Sequence, residues 1–241
     1  MPLEMRLSGP ETQPLCDEFD VLNEVLPFEG AEVLELGCGA ADKTRQIAER
    51  TGVARIVAAE VDAIQHEKNL AIDDLPKVTF KPFGAEAIDE PDASFDIVLM
   101  FKSLHHVPLD VMDAALKEIH RVLRPGGVAY ISEPVFEGSF NEVIRLFHDE
   151  QSVRLAAFEA VERSVAAELF DLGEERFFRN RVRLQSFEQF EKGIIQSTHT
   201  EHRLDDALLA QVRERFESNA SDAGYVFDVP NRVDILVKGA A

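Results

Sequence analysis

The stretch VLELGCGAADKT, Val33 to Thr44, runs from a short apolar segment through two closely spaced glycines into a helix-forming sequence. Strand, glycine turn and helix in that order present backbone amides and a helix N-terminus, an arrangement suited to the phosphates of a nucleotide. Yet Glu35 stands just before the first glycine and Asp42 just after the second. Carboxylates there would repel a pyrophosphate, so the ligand must differ in charge.

Outward from this turn, strand and helix signals alternate. AEVLEL (31–36) is an apolar run ended by glycine, hence a buried strand, and ADKTRQIAERTG reads as a helix closed by Gly52. ARIVAAE (54–60) gives the next strand, and DAIQHEKNLAI (62–72) the next helix, with Asp62 as its N-cap. KVTFKPF (77–83) alternates like a strand, and SFDIVLMF (94–101) is apolar enough for the centre of a sheet. DVMDAALKEIHRVL (110–123) has helical spacing and stops at RPGG, and GVAYISEP (127–134) is a fifth strand. Such alternation predicts an α/β, doubly wound, Rossmann-like sheet of seven strands, mostly parallel.

After Pro134 the pattern changes. Residues 138–195 read as a helical insertion, with Phe140, Val143, Ile144 and Phe147 on one apolar face. A further helix, RLDDALLAQVRERFESNA, is followed by GYVFDVP (224–230) and NRVDILVKG (231–239), which predict an antiparallel terminal hairpin. With no internal repeat or low-complexity linker, residues 1–241 are expected to form one domain carrying the insertion as a lid over the site. A homodimer interface is the alternative use of that segment.

Composition sets bounds on partners and setting. Across 241 residues, 45 acids against 25 bases give a formal net charge of −20. A surface so acidic repels nucleic-acid backbones and anionic membranes. Two cysteines, Cys16 and Cys38, supply no disulfide framework and suit a reducing compartment. The opening MPLEMRLSGPETQP has no apolar core, and no apolar run approaches the roughly 18 residues of a membrane span, so a cytoplasmic protein is expected.

The acids around the turn then identify a ligand. Gly37 and Gly39 permit a tight turn and close approach of a ligand to the backbone. A dinucleotide fingerprint wants a third glycine where Asp42 stands, which disfavours a nicotinamide-dependent oxidoreductase. Glu60 ends the second strand about 20 residues beyond the loop, the position of an acid that accepts both ribose hydroxyls. A nucleoside flanked by carboxylates calls for a cationic tail, as in S-adenosylmethionine.

At this point the chain resembles the class I S-adenosylmethionine-dependent methyltransferases of small-molecule type. VLELGCGAA looks like their first motif and AAEVDA like the second. FGAEAI and DASFDIVLMFKSLHHV resemble the third and fourth, and LKEIHRVLRPGGVAYISEP resembles the helix, turn and fifth strand that follow. The resemblance covers about residues 20 to 135 plus the terminal strands. It implies cofactor contacts at Glu35, Gly37, Cys38, Gly39 and Glu60, with Val61 against the adenine and the main chain near Phe101 facing the methionine tail. Ala41 replaces a frequent third glycine, a small change. Gly84 replaces an aspartate that many members place near the adenine amino group, so that either Glu86 or the backbone at Ala85 takes over or the contact is weaker here.

Methyl transfer from a sulfonium is an in-line displacement, and positioning can supply much of its catalysis. A base is needed when the acceptor must lose a proton. His105, His106 and Glu133 are candidates, with His105 and Glu133 placed foremost, while His148 and His199 lie in the variable region. Family members also use LHHV for packing. No H-x-x-x-H, C-x-x-C or close acidic cluster marks a metal site, so no metal is expected. In the insertion, RFFRNRVR (176–183) groups four arginines, suited to an anionic acceptor or to neighbouring acids such as Glu174 and Glu175. The expected function is methyl transfer to oxygen or nitrogen of a small molecule. A methyltransferase-like protein that binds the nucleoside without catalysis is the competing class.

Overall fold

A computed structural model describes residues 5–196 and 204–240 of the chain. In chain order the elements are α1 (Glu18–Val25), β1 (Glu32–Leu36), α2 (Asp42–Arg50), β2 (Arg55–Ala59), α3 (Ala63–Leu70) and β3 (Val78–Lys81). They continue with β4 (Phe95–Phe101), α4 (Met112–Val122), β5 (Leu123–Pro134), α5 (Ser139–Ile144) and α6 (Gln151–Ala166). β6 (Asp171–Leu184), α7 (Phe187–Phe190), α8 (Asp206–Glu217), β7 (Ala220–Ser221) and β8 (Gly224–Val237) complete the set. Asp62 caps α3 as its sequence suggests, its Oδ1 accepting from the Ile64 and Gln65 amides.

The strands form one sheet in the order β3-β2-β1-β4-β5-β8-β6, with the short β7 beside β8. β1 to β5 are parallel, and β8 runs antiparallel to both β5 and β6. Chain order reverses between β1 and β4, which opens a crevice at their C-terminal ends, where open α/β sheets bind ligands. Alternation along the strands feeds two cores. Leu34, Val98, Met100 and Ile131 pack with α4 and α6 on one face. Val33, Ile97, Leu99 and Tyr130 pack with α1 and α2 on the other. Among the described residues no helix is long and apolar enough to cross a membrane.

Two expectations are corrected at the C-terminal end. Residues 171–184, read as part of a helical insertion, form a strand of 14 residues. The reason is visible in FRNRVRL: Phe178, Val182 and Leu184 alternate with Arg179, Arg181 and Arg183, a period of two that suits a half-buried ribbon. Nor do 224–230 and 231–239 fold back on each other, because Gly224–Val237 is a single strand. Pro230 is tolerated within it: Arg179 opposite sends its N–H to Pro14 and receives that of Cys16, so no ladder bond is lost.

Pairing of β5 with β8 ends at Pro134↔Asn231, whereas pairing of β6 with β8 continues to Leu184↔Tyr225. The ribbon therefore projects beyond the C-terminal end of the sheet. On it a third apolar cluster gathers Val143, Phe187, Phe190, Val212, Phe216 and Phe227 from α5, α7, α8 and β8. This cap is thus a β-ribbon dressed with short helices.

Candidate active site

The loop after β1 bends through positive φ at Gly37 (73°), Gly39 (52°) and Ala41 (63°). A Cβ on Gly37 would stand 2.7 Å from Ser103 Cβ, so the loop and the end of β4 touch only because residue 37 is glycine. Ser103 Oγ closes the contact by donating to the Leu36 carbonyl at 2.9 Å. A Cβ on Gly39 would meet nothing within 4 Å, which leaves that face of the loop open to a ligand.

Glu60 fastens this loop to the end of β2. Its Oε2 accepts from the Gly39 amide and its Oε1 from the Asp62 amide, both at 2.8 Å. Each carboxylate oxygen keeps a further lone pair, enough for the two hydroxyls of a ribose. Asn69 holds the loop from below, donating to the Gly39 carbonyl at 2.7 Å and lying 3.6 Å from Cys38 Sγ. The sequence reading missed Asn69, whose only signal was an amide in the last turn of α3. Val61, beside Glu60, is 68% exposed, an apolar surface suited to cover by a flat ring.

Glu35 sits differently from its expected place. It is buried beneath the loop, not at its rim, and Thr44 Oγ1 donates to its Oε2 at 2.7 Å. Burial pushes its carboxyl up to about 7 against the pull of Thr44 and Lys43, so near neutral pH it is only partly ionised. Its charge therefore varies with pH and is no fixed complement to a cation. Burial likewise pushes the Cys38 thiol well above its usual range, so it packs under the loop as a thiol.

Near the adenine end expected from the motifs, Ala85 is buried and Glu86 is exposed. A Cβ on Gly84 would lie 2.3 Å from Glu86 Oε2, so the Glu86 carboxylate occupies the space of the side chain that residue 84 lacks. At the end of β4, Phe101 is half-buried and tilts against Tyr130 at 5.7 Å between ring centres. Lys102 follows at φ 53°, a left-handed kink that turns the chain away from the sheet.

His105 and Glu133, two separate candidate bases, are brought together in a direct contact. Glu133 Oε1 accepts from the Leu104 amide at 2.9 Å, and its Oε2 meets His105 Nδ1 in a short hydrogen bond. His105 Nε2 faces Glu150 Oε1 at 3.6 Å. Burial opposes the imidazolium, yet Glu133 and Glu150 outweigh it and push His105 up to about 9. Both ring nitrogens of His105 thus face carboxylates, Glu133 on one side and Glu150 on the other. His148 joins the same cluster, Nε2 to Glu150 Oε1 at 2.8 Å, and Arg154 holds Glu150 Oε2 at 2.6 Å. His106 is exposed, and its ring is centred 4.1 Å from that of His105. His199 lies outside the described residues.

Two cavities open above the strand ends. The larger, about 370 Å³, is lined by Asp17, Glu18, Lys43, Lys102, Asn180 and Arg181 among others. The smaller, about 120 Å³, lies against Glu133, Phe136, Arg154 and Arg232. Of the arginines in 176–183, Arg181 reaches the larger cavity, though Asp228 binds it at 2.7 and 2.9 Å. Arg176 pairs with Glu24 and Glu174, and Arg179 donates to the Gln13 carbonyl.

Comparison with known proteins agrees with this geometry. Residues 33–127 match the family model described as a methyltransferase domain. The sterol 24-C-methyltransferase of Yarrowia lipolytica is 34% identical over 117 residues, covering 47% of this chain and 30% of that protein. The ubiquinone/menaquinone biosynthesis C-methyltransferase UbiE of Hahella chejuensis is 33% identical over 128 residues, covering 51% and 50%. The matched stretch thus spans half or less of these relatives' own length. In fold, the YcgJ protein of Bacillus subtilis superposes with a TM-score of 0.62 at 16% identity, over 92% of this chain and 97% of that one. Over residues 33–127 the chain thus matches a methyltransferase domain, and its fold is that of the class I S-adenosylmethionine-dependent methyltransferases.

Proposed function

We propose that the protein transfers a methyl group from S-adenosylmethionine to an oxygen or nitrogen of a small, anionic acceptor. The observation that carries this reading is Glu60. It stands at the end of β2 next to the loop that follows β1, with both oxygens fixed by the Gly39 and Asp62 amides, beside the open Gly39 and the exposed Val61. Those residues fit the cofactor's nucleoside: Glu60 would accept the ribose hydroxyls, Val61 would lie on the adenine, and Glu86 would read its amino edge. When bound, the cofactor supplies a methyl group already activated by a sulfonium.

The chain's own contribution is placement and charge. Lys43, Lys102 and Arg181 put three cations around the larger cavity, suited to a carboxylate or phosphate on the acceptor. The same charged lining favours a hydrophilic acceptor whose methylated atom is oxygen or nitrogen. The cap, projecting from the strand ends, would shield the reacting groups from water. A net charge of −20 speaks against nucleic acid as acceptor, and the two free cysteines suit a cytoplasmic setting. One observation favours a second reading: both relatives above are named as C-methyltransferases, which points to a nucleophilic carbon on the acceptor.

Formation of S-adenosylhomocysteine, measured with panels of hydroxy acids, amino acids, phosphorylated amines and phenolic acids, tests this reading. Mass spectrometry of the product then locates the methyl group. Turnover confined to neutral, apolar acceptors would overturn the anionic acceptor, and a carbon-methylated product would select the second reading.

A further inference from the structure

We propose that His105, His106 and Glu150 form a binding site for a divalent first-row transition ion of the Zn²⁺ type, at the C-terminal ends of β4 and β5. The three residues each offer one ligand atom, and these atoms lie within 4.8 Å of one another. His105 and His106 belong to the turn that follows β4, whereas Glu150 stands at the N-cap of α6. Because the third ligand is remote in sequence, the spacing of histidines and acids along the chain gave no sign of it.

Distances favour an ion over a direct pair at one edge of the cluster. His105 Nε2 and Glu150 Oε1 are 3.6 Å apart, too far for a good hydrogen bond. Two atoms bound to one Zn²⁺ by bonds of about 2.0–2.2 Å at tetrahedral angles stand roughly 3.3–3.6 Å apart. Two imidazoles and one carboxylate are also a donor set that such ions accept.

The surroundings are built as they are around metal ligands. A ligating histidine commonly gives its other ring nitrogen to a carboxylate, which fixes tautomer and orientation. Glu133 does this at His105 Nδ1 and is itself held by the Leu104 amide. Arg154 occupies Glu150 Oε2, leaving Oε1 turned toward the site. His148 lies 2.8 Å from that same oxygen and stands ready to orient it. His106 is exposed, so the remaining coordination position faces solvent and would take water or an oxygen of a small anion. The inference goes beyond methyl transfer, and its test does not depend on turnover.

Tag-free protein, stripped with a chelator and dialysed, is titrated with Zn²⁺ by calorimetry and with Co²⁺ by visible absorption. The expected result is saturable one-to-one binding with ligand-field bands for Co²⁺. His106→Ala removes an exposed ligand and should weaken Zn²⁺ at least tenfold, as should Glu150→Gln. Glu133→Gln touches no ligand atom, but its amide would donate to His105 Nδ1 and force the proton onto Nε2. It should therefore weaken Zn²⁺ by about 10–100-fold while S-adenosylhomocysteine still binds. Absence of saturable binding, or binding unchanged in both His106→Ala and Glu150→Gln, would overturn the proposal. Should the buried variants fail to fold, His106→Ala decides alone.

Discussion

Glu60 joins the site to the loop that frames it, so its replacement acts on ligand and loop together. Glu60→Ala removes a charged acceptor from the ribose, and charged hydrogen bonds are typically worth about 1.5–3 kcal/mol. S-adenosylhomocysteine should bind roughly ten- to a hundredfold more weakly by calorimetric titration, and an unchanged dissociation constant would remove Glu60 from the nucleoside site. Glu86 makes a sharper case, because its carboxylate fills the space beside Gly84. Glu86→Ala should weaken the adenosyl ligand, and adding Gly84→Asp in the same chain should restore it. An unchanged affinity in Glu86→Ala would show that backbone alone reads the adenine.

Glu35 gives a prediction in pH. Its carboxyl is raised from 4.5 to about 7 in the folded state. Below 4.5 the group is neutral whether folded or unfolded and costs nothing. As pH rises from there toward 7, the unfolded chain ionises first, and the folded state loses up to about 3 kcal/mol. Glu35→Gln keeps an acceptor for Thr44 and removes this loss. Its melting temperature should match wild type near pH 4 and exceed it near pH 8; equal curves at both would mean the carboxyl is not buried in solution.

At the level of elements, β1 to β5 were legible because each shows a local pattern that burial alone dictates. Val33 and Leu34 face opposite cores, and Ile97 to Met100 are apolar throughout because β4 is covered on both faces. β6 was not legible as a strand because its decisive contacts are remote: it exists by pairing with β8, while its arginines resemble a helix surface. The single strand β8 was obscured by Pro230, whose lack of an N–H matters only if the residue opposite needs it. In the site, the motif loop and Glu60 were readable from spacing, whereas burial of Glu35 and the meeting of His105 with Glu150 depend on packing that spacing does not encode. The cap supplies its own test. Phe216 is fully buried among Phe187, Phe190, Tyr225 and Phe227. Phe216→Ala should cost about 3–5 kcal/mol within that cluster. Hydrogen exchange should rise in α7 and α8 but not in β1 or β4, and uniform loss of protection would mean that the cap and sheet unfold together.

Across the whole molecule, three apolar clusters share one sheet, and the strand between its parallel part and its outer edge is the last in chain order. During synthesis the segment that becomes β6 emerges from the ribosome well before β8, and apart from the single bridge at Leu15 its pairing partner arrives only with β8. Until then the parallel strands can assemble, but the edge of β5 stays unpaired, an invitation to association between nascent chains. A chain halted before Gly224 should therefore aggregate through that edge instead of folding as a smaller version of the protein. The order in which the polypeptide is made thus keeps the cap from closing its apolar cluster until β8 has been synthesised.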